Sequence, residues 1–93
     1  NDKYKRGDYS GAISDYSKAI EINPRYADAY FIRGISKDYS DDPYGAISDF
    51  NKAIQIDSRN APAYAWRGIA KGRLGDFTGA CADTKKAVDL GDE

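Results

Sequence analysis

Ninety-three residues, 41% of them hydrophobic and 31% charged, make one domain at most, with a modest core. Lys and Arg total 14 against 15 Asp and Glu, a net charge of −1, which argues against a protein that grips nucleic acid by a basic face. Histidine is absent, removing the commonest general base and metal ligand, and no apolar run approaches the roughly 20 residues of a membrane span. One cysteine cannot form an intramolecular disulfide, so the redox compartment stays open. No signal peptide is visible, which slightly favours the cytoplasm, and the abrupt start suggests a piece of a longer protein.

Taken in order, Asn1 to Arg6 reads as the last turns of a helix, and Gly7-Asp8 as a turn. From Tyr9 or Ser10 to Ile22, apolar or small residues at Ala12, Ile13, Tyr16, Ala19, Ile20 and Ile22 follow a helical stripe, which predicts a helix stopped by Asn23-Pro24. Arg25 to Tyr39 is the next helix. Ser40-Asp-Asp-Pro43 is a turn in which Ser40, Asp41 or Asp42 can cap a helix running to about Ile56. Ala61 to Leu74 and Phe77 to Leu90 are two more, joined by Gly75-Asp76. No stretch alternates with period two, so no strand is expected.

The segment Gly11 to Asn23 recurs as Gly45 to Asp57 and again as Gly79 to Gly91. Ala12, Ala46 and Ala80 recur at a constant step of 34, as do Ala19, Ala53 and Ala87, and Asp15, Asp49 and Asp83. Gly34 and Gly68 keep the same step inside helices, where each costs roughly 1 kcal/mol against Ala. A cost repeated in register predicts a close helix approach. Arg33 precedes Asp49 at a spacing of 16, and Arg67 precedes Asp83 at the same spacing. This predicts Arg33–Asp49 and Arg67–Asp83 salt bridges bracing each helix pair, the alternative being exposed charges that never meet. Asp15 has no arginine at that spacing before it, consistent with a chain cut from a longer array.

A helix–turn–helix period of 34 with Tyr9, Tyr16, Pro24, Tyr30, Gly34, Phe50, Tyr64 and Gly68 at matching places resembles the tetratricopeptide repeat over nearly the whole chain. The resemblance implies an all-α, right-handed superhelical array of antiparallel helix pairs, with a partial unit at 1–26 and units at 27–60 and 61–93. The wording of the repeats resembles bacterial members. Thr84 departs from the aromatic position of Tyr16 and Phe50. Asp41 and Pro43 replace the Gly and aromatic of Gly7-Asp8-Tyr9, so the second turn is expected to differ in shape, with Tyr44 in the aromatic's role.

The resemblance also implies a concave groove lined by first helices. Its candidate residues here are Tyr4, Asp28, Phe31, Ile35, Asp38, Tyr39, Pro62, Ala65, Trp66, Ile69 and Arg73. Phe31 and Ile35 share a helix face, Ala65 and Ile69 are the corresponding pair, and Asp38 and Arg73 are expected at the margin. Such a groove takes an extended peptide or an amphipathic helix. The competing possibility is that Phe31, Ile35 and Trp66 are inter-repeat core. A carboxylate clamp for chaperone tails is not expected. Asn1 fills one slot, but Ile32, Pro62 and Trp66 stand where the clamp needs Asn, Lys and Arg, and they cannot offer the donors.

No enzyme, cofactor or metal is expected. Cys81 has no histidine to activate it and sits between Ala80 and Ala82 like core filler, and Asp38, Asp41 and Asp42 lack the pattern of a calcium loop. The leading expectation is a non-catalytic protein-interaction scaffold. The alternatives are self-assembly through exposed apolar ends near Ile13 and Val88 and, third, RNA binding by a helical repeat.

Overall fold

A computed structural model describes residues 9–91. They form five helices: α1 Tyr9–Ile22, α2 Ala27–Tyr39, α3 Pro43–Ile56, α4 Ala61–Arg73 and α5 Phe77–Gly91. The expected stub at Asn1 to Arg6, the turn Gly7-Asp8, Tyr4 and the tail Asp92-Glu93 lie outside the described residues.

Local chemistry sets the ends. Asn23 and Asp57 open two equivalent connections, their side-chain oxygens accepting from the N–H of Arg25 and Arg59 at 3.1 and 3.2 Å. Arg25 and Tyr26 belong to that turn, so α2 starts at Ala27 and not at Arg25. Asp42 caps α3 by accepting from Gly45 N–H at 3.0 Å, and Asp76 does the same for Gly79. Pro43 and Pro62 occupy first-turn positions, where a missing N–H costs nothing.

The second turn has the same shape as the turn at Gly75; Gly7-Asp8 lies outside the described residues. Asp41 takes φ 67° where the next turn has Gly75 at 85°. Asp42 N–H reaches the Lys37 carbonyl at 2.8 Å and Asp76 N–H the Lys71 carbonyl at 2.9 Å, so the two turns match. Aspartate is among the few residues that tolerate the left-handed region. Tyr44 is 74% exposed, close to the 70% of Phe77 at the aromatic position of the next unit.

Each helix packs on its neighbours in sequence, most extensively α2 on α3 and α4 on α5, and α2 also touches α4. The core is built of small residues, Ala12, Ala29, Ala46, Ala53, Ala63 and Ala70, around Phe50 and Tyr30. Small side chains allow close helices, and Gly34 shows how close. A Cβ there would fall 2.7 Å from a ring carbon of Phe50, which is fully buried and cannot yield. At Gly68 the nearest atoms are the Ala80 carbonyl oxygen at 3.1 Å and Asp83 Cβ at 3.2 Å. Thr84, replacing the aromatic, folds its hydroxyl back to donate to the Ala80 carbonyl at 2.9 Å and leaves more room.

A charged latch ties each pair. Arg33 donates through Nε and Nη2 to both oxygens of Asp49, at 2.8 and 2.7 Å, and through Nη1 to Ser17 Oγ of α1 at 3.1 Å. Arg67 repeats this on Asp83 at 2.8 and 2.7 Å and reaches Asn51 of α3 at 2.8 Å. A second cation joins each carboxylate, Lys37 on Asp49 at 3.2 Å and Lys71 on Asp83 at 3.1 Å. The guanidinium groups also lie over Tyr30 and Tyr64, at 5.5 and 5.3 Å from the ring centres. One arginine thus joins three helices. Asp15, at the same place on α1, is not left without a partner.

Gly34→Ala should destabilise by about 1–3 kcal/mol despite its better helix propensity, and Gly68→Ala by clearly less. Urea unfolding of both variants checks this, and equal or stabilising effects would remove close approach as the reason for these glycines. Burial pushes the Asp83 carboxyl up, but Arg67 and Lys71 outweigh it and hold it below its ordinary value. The stability it supplies is therefore complete above the ordinary carboxylate range and drains as pH falls through the lowered value. Asp83→Asn should cost about 2–4 kcal/mol at pH 7, with the gap to wild type closing at strongly acidic pH. A gap unchanged across that range would mean the charge of Asp83 contributes nothing.

Candidate functional site

Contact between α2 and α4 brings Tyr39 to Trp66 and Asp38 to Arg73. By helical spacing Phe31 and Ile35 share the α2 face of Asp38 and Tyr39, and Ala65 and Ile69 the α4 face of Trp66 and Arg73; these residues are called the α2–α4 strip. Phe31 is anchored inward, its ring 6.0 Å from that of Phe50 on α3, and Ile35, Ala65 and Trp66 are half-buried. Tyr39 and Ile69 present apolar surface outward, 48% and 50% exposed. Asp28 and Pro62 are exposed at the helix starts.

The strip is joined by an aromatic run. Tyr39 meets Trp66 edge-on at 5.6 Å, and Tyr9 of α1 stacks on Tyr39 at 5.5 Å. Tyr9 belongs to this run although its sequence position marks it only as a repeat residue. The signal for it is its place in the first turn of its helix, from which its ring reaches Tyr39 of the next unit.

Asp38 is not at a margin. It is fully buried, and among the described residues neither carboxylate oxygen has a hydrogen-bond partner. Arg73 lies nearest, with Nη1 3.9 Å from Oδ1, and it donates a long 3.4 Å hydrogen bond to the Asp38 carbonyl. Burial pushes the Asp38 carboxyl up; Arg73 offsets part of that and Asp41 adds to it. An i, i+4 stripe cannot announce this burial, because it depends on how the following repeat's first helix lies across.

Cys81 is exposed and is not core filler. Its counterpart Ile47 is half-buried where α3 lies between α2 and α4, whereas no helix follows α5 among the described residues. A cleft of about 520 Å³ opens elsewhere, around Tyr30, Arg33, Asp49, Asn51 and Lys52. Its chief polar groups are engaged in the latches, Arg33 with Asp49 and Asn51 with Arg67. Among the described residues no three His, Cys, Asp or Glu side chains gather to hold a metal ion, and no helix is long and apolar enough to cross a membrane.

Similarity to known proteins is consistent along the chain. A family model described as "TPR repeat" matches residues 1–36. Among curated proteins none matches. The Arabidopsis OM64 TPR domain is 32% identical with a TM-score of 0.91, over 97% of this chain and 74% of that one. The first TPR of Spaghetti (RPAP3), solved bound to HSP90 peptide SRMEEVD, is 27% identical with a TM-score of 0.91, over 97% and 71%. MamA is 29% identical with a TM-score of 0.90, over 97% of this chain, which spans only 53% of the MamA chain. Five helices without a strand among the described residues, the repeat period of 34 and these likenesses agree: the chain belongs to the tetratricopeptide repeat family, a protein-interaction fold.

Proposed function

We propose that this chain is a non-catalytic interaction module that holds an extended peptide or a helix of a partner protein across the α2–α4 strip. The observation that carries the reading is the exposed apolar surface of Tyr39 and Ile69 beside the half-buried Trp66, joined into one run with Tyr9. Rigid aromatics with an apolar neighbour make an anchor for a partner side chain at low entropic cost. A related domain, the first TPR of Spaghetti (RPAP3), was solved with a bound peptide, which supports a peptide as the ligand class. Carboxylate-tail capture is not part of the proposal, because Ile32, Pro62 and Trp66 supply no donors for a terminal carboxylate.

A second reading has one observation in its favour. Val88 on α5 is 57% exposed, whereas its counterpart Ile54 on α3 is half-buried. A second copy stacked on α5 would cover it. The two readings separate by mutation. Trp66→Ala should weaken peptides selected from a displayed library at least about tenfold, a loss of roughly 1.4 kcal/mol or more, and leave solution mass unchanged. Val88→Glu should leave peptide binding intact and, if copies stack, lower the mass measured by sedimentation. Selected peptides that bind Trp66→Ala as well as wild type would remove the strip as the binding surface.

A further inference from the structure

The residues that hold the fold recur with the repeat period, and Asp38 does not. Arg33 and Arg67, Lys37 and Lys71, and Asp49 and Asp83 are all repeated, but one period after Asp38 stands Gly72, and one period before it stands Tyr4. A buried carboxylate is therefore no requirement of this architecture. It is also a cost. Asp38 is fully buried, both its oxygens lack hydrogen-bond partners among the described residues, and burial disfavours its charged form. A buried carboxylate that the repeat does not require, and whose oxygens the described residues leave without a hydrogen bond, points to a donor from outside the fold.

The surroundings say which state. Asp38 lies within the α2–α4 strip, next to the half-exposed Tyr39, whose ring leads to Trp66. A carboxylate only accepts, so its missing partner is a donor. Arg73 approaches it without satisfying it, since Nη1 stays 3.9 Å from Oδ1 and the side chain is 46% exposed. A half-exposed side chain with a long 3.4 Å hydrogen bond and a 3.9 Å ion contact is displaced at little cost. Two oxygens without hydrogen-bond partners suit the planar fork of a guanidinium better than a single ammonium, and aromatic rings receive a cation on their faces.

Resting on the peptide-groove reading, we infer that Asp38 is the receptor for a basic side chain of the bound partner, arginine before lysine, which displaces Arg73 and lays its stem across Tyr39 and Trp66. The partner segment thus combines an apolar anchor with one cation.

The test uses a synthetic nonapeptide library in which each position is fixed in turn to Arg, Lys, citrulline, Gln, Leu or Glu, selected on wild type, Asp38→Asn and Arg73→Gln. Wild type should enrich Arg, then Lys, at one position at least fivefold over the uncharged citrulline. Asp38→Asn should lose that enrichment and keep the apolar preference, and Arg73→Gln should keep or strengthen it. Asp38→Asn should also melt higher than wild type at neutral pH, because a buried charge that Arg73 compensates only in part has gone. Citrulline selected as strongly as Arg, or the same peptides selected by Asp38→Asn, overturns the inference and leaves the groove standing. A lower melting temperature for Asp38→Asn overturns it too, by making Asp38 structural. If wild type selects no peptide at all, the groove reading falls and this inference with it.

Discussion

The structure depends on a carboxylate held between cations under a helix pair. Asp49 and Asp83 are buried, and each collects an arginine fork and a lysine. A buried ion pair adds little net stability over apolar packing, because desolvation offsets attraction, but it is unforgiving of wrong geometry. That makes it a spacing device. The fork accepts one distance and one rotation between the helices, and its third donor reaches Ser17 or Asn51 on the preceding helix. The same side chain therefore sets the spacing within a unit and the register between units.

The groove is a consequence of that spacing. Gly34 and Gly68 let α3 and α5 approach α2 and α4, and the latches fix them there. α2 and α4 are then left side by side with their remaining faces turned to each other and outward. The strip of Tyr39, Trp66 and Ile69 is what neither the core nor the latches consume. Asp38 stands apart in it as a buried carboxylate whose oxygens find no hydrogen-bond partner among the described residues. Stability in this molecule is periodic, and departures from the period are where specificity can reside.

Most of the framework is legible in the sequence because it repeats. A spacing of 16 between Arg33 and Asp49, seen again between Arg67 and Asp83, places two charges across a helix pair before any coordinates. The repeat step of 34, which relates Lys37 to Lys71 and Ser17 to Asn51, carries the rest of the latch; those residues look like ordinary surface unless the arginine's spare donor and the aspartate's spare acceptor sites are counted. The second turn is misread when Asp41 in place of glycine is taken to change its shape, because aspartate's tolerance of positive φ preserves it. Cys81 and Asp38 are misplaced for one reason. Their burial depends on the neighbouring repeat and not on their own helix: Cys81 lacks a following helix among the described residues, and Asp38 lies under the reach of Arg73. The repeat period reports contacts inside a unit well and contacts made once in the chain hardly at all.

The most direct test of the latch as the organising contact is a double-mutant cycle on Arg33 and Asp49, with Arg33→Met, Asp49→Asn and the pair measured by urea unfolding at neutral pH. If the buried fork sets the helix spacing, the coupling energy should be about 1.5–3 kcal/mol, each single change being costly because it strands the other partner. A coupling below about 0.5 kcal/mol, the value of two exposed charges that happen to lie close, would contradict the account.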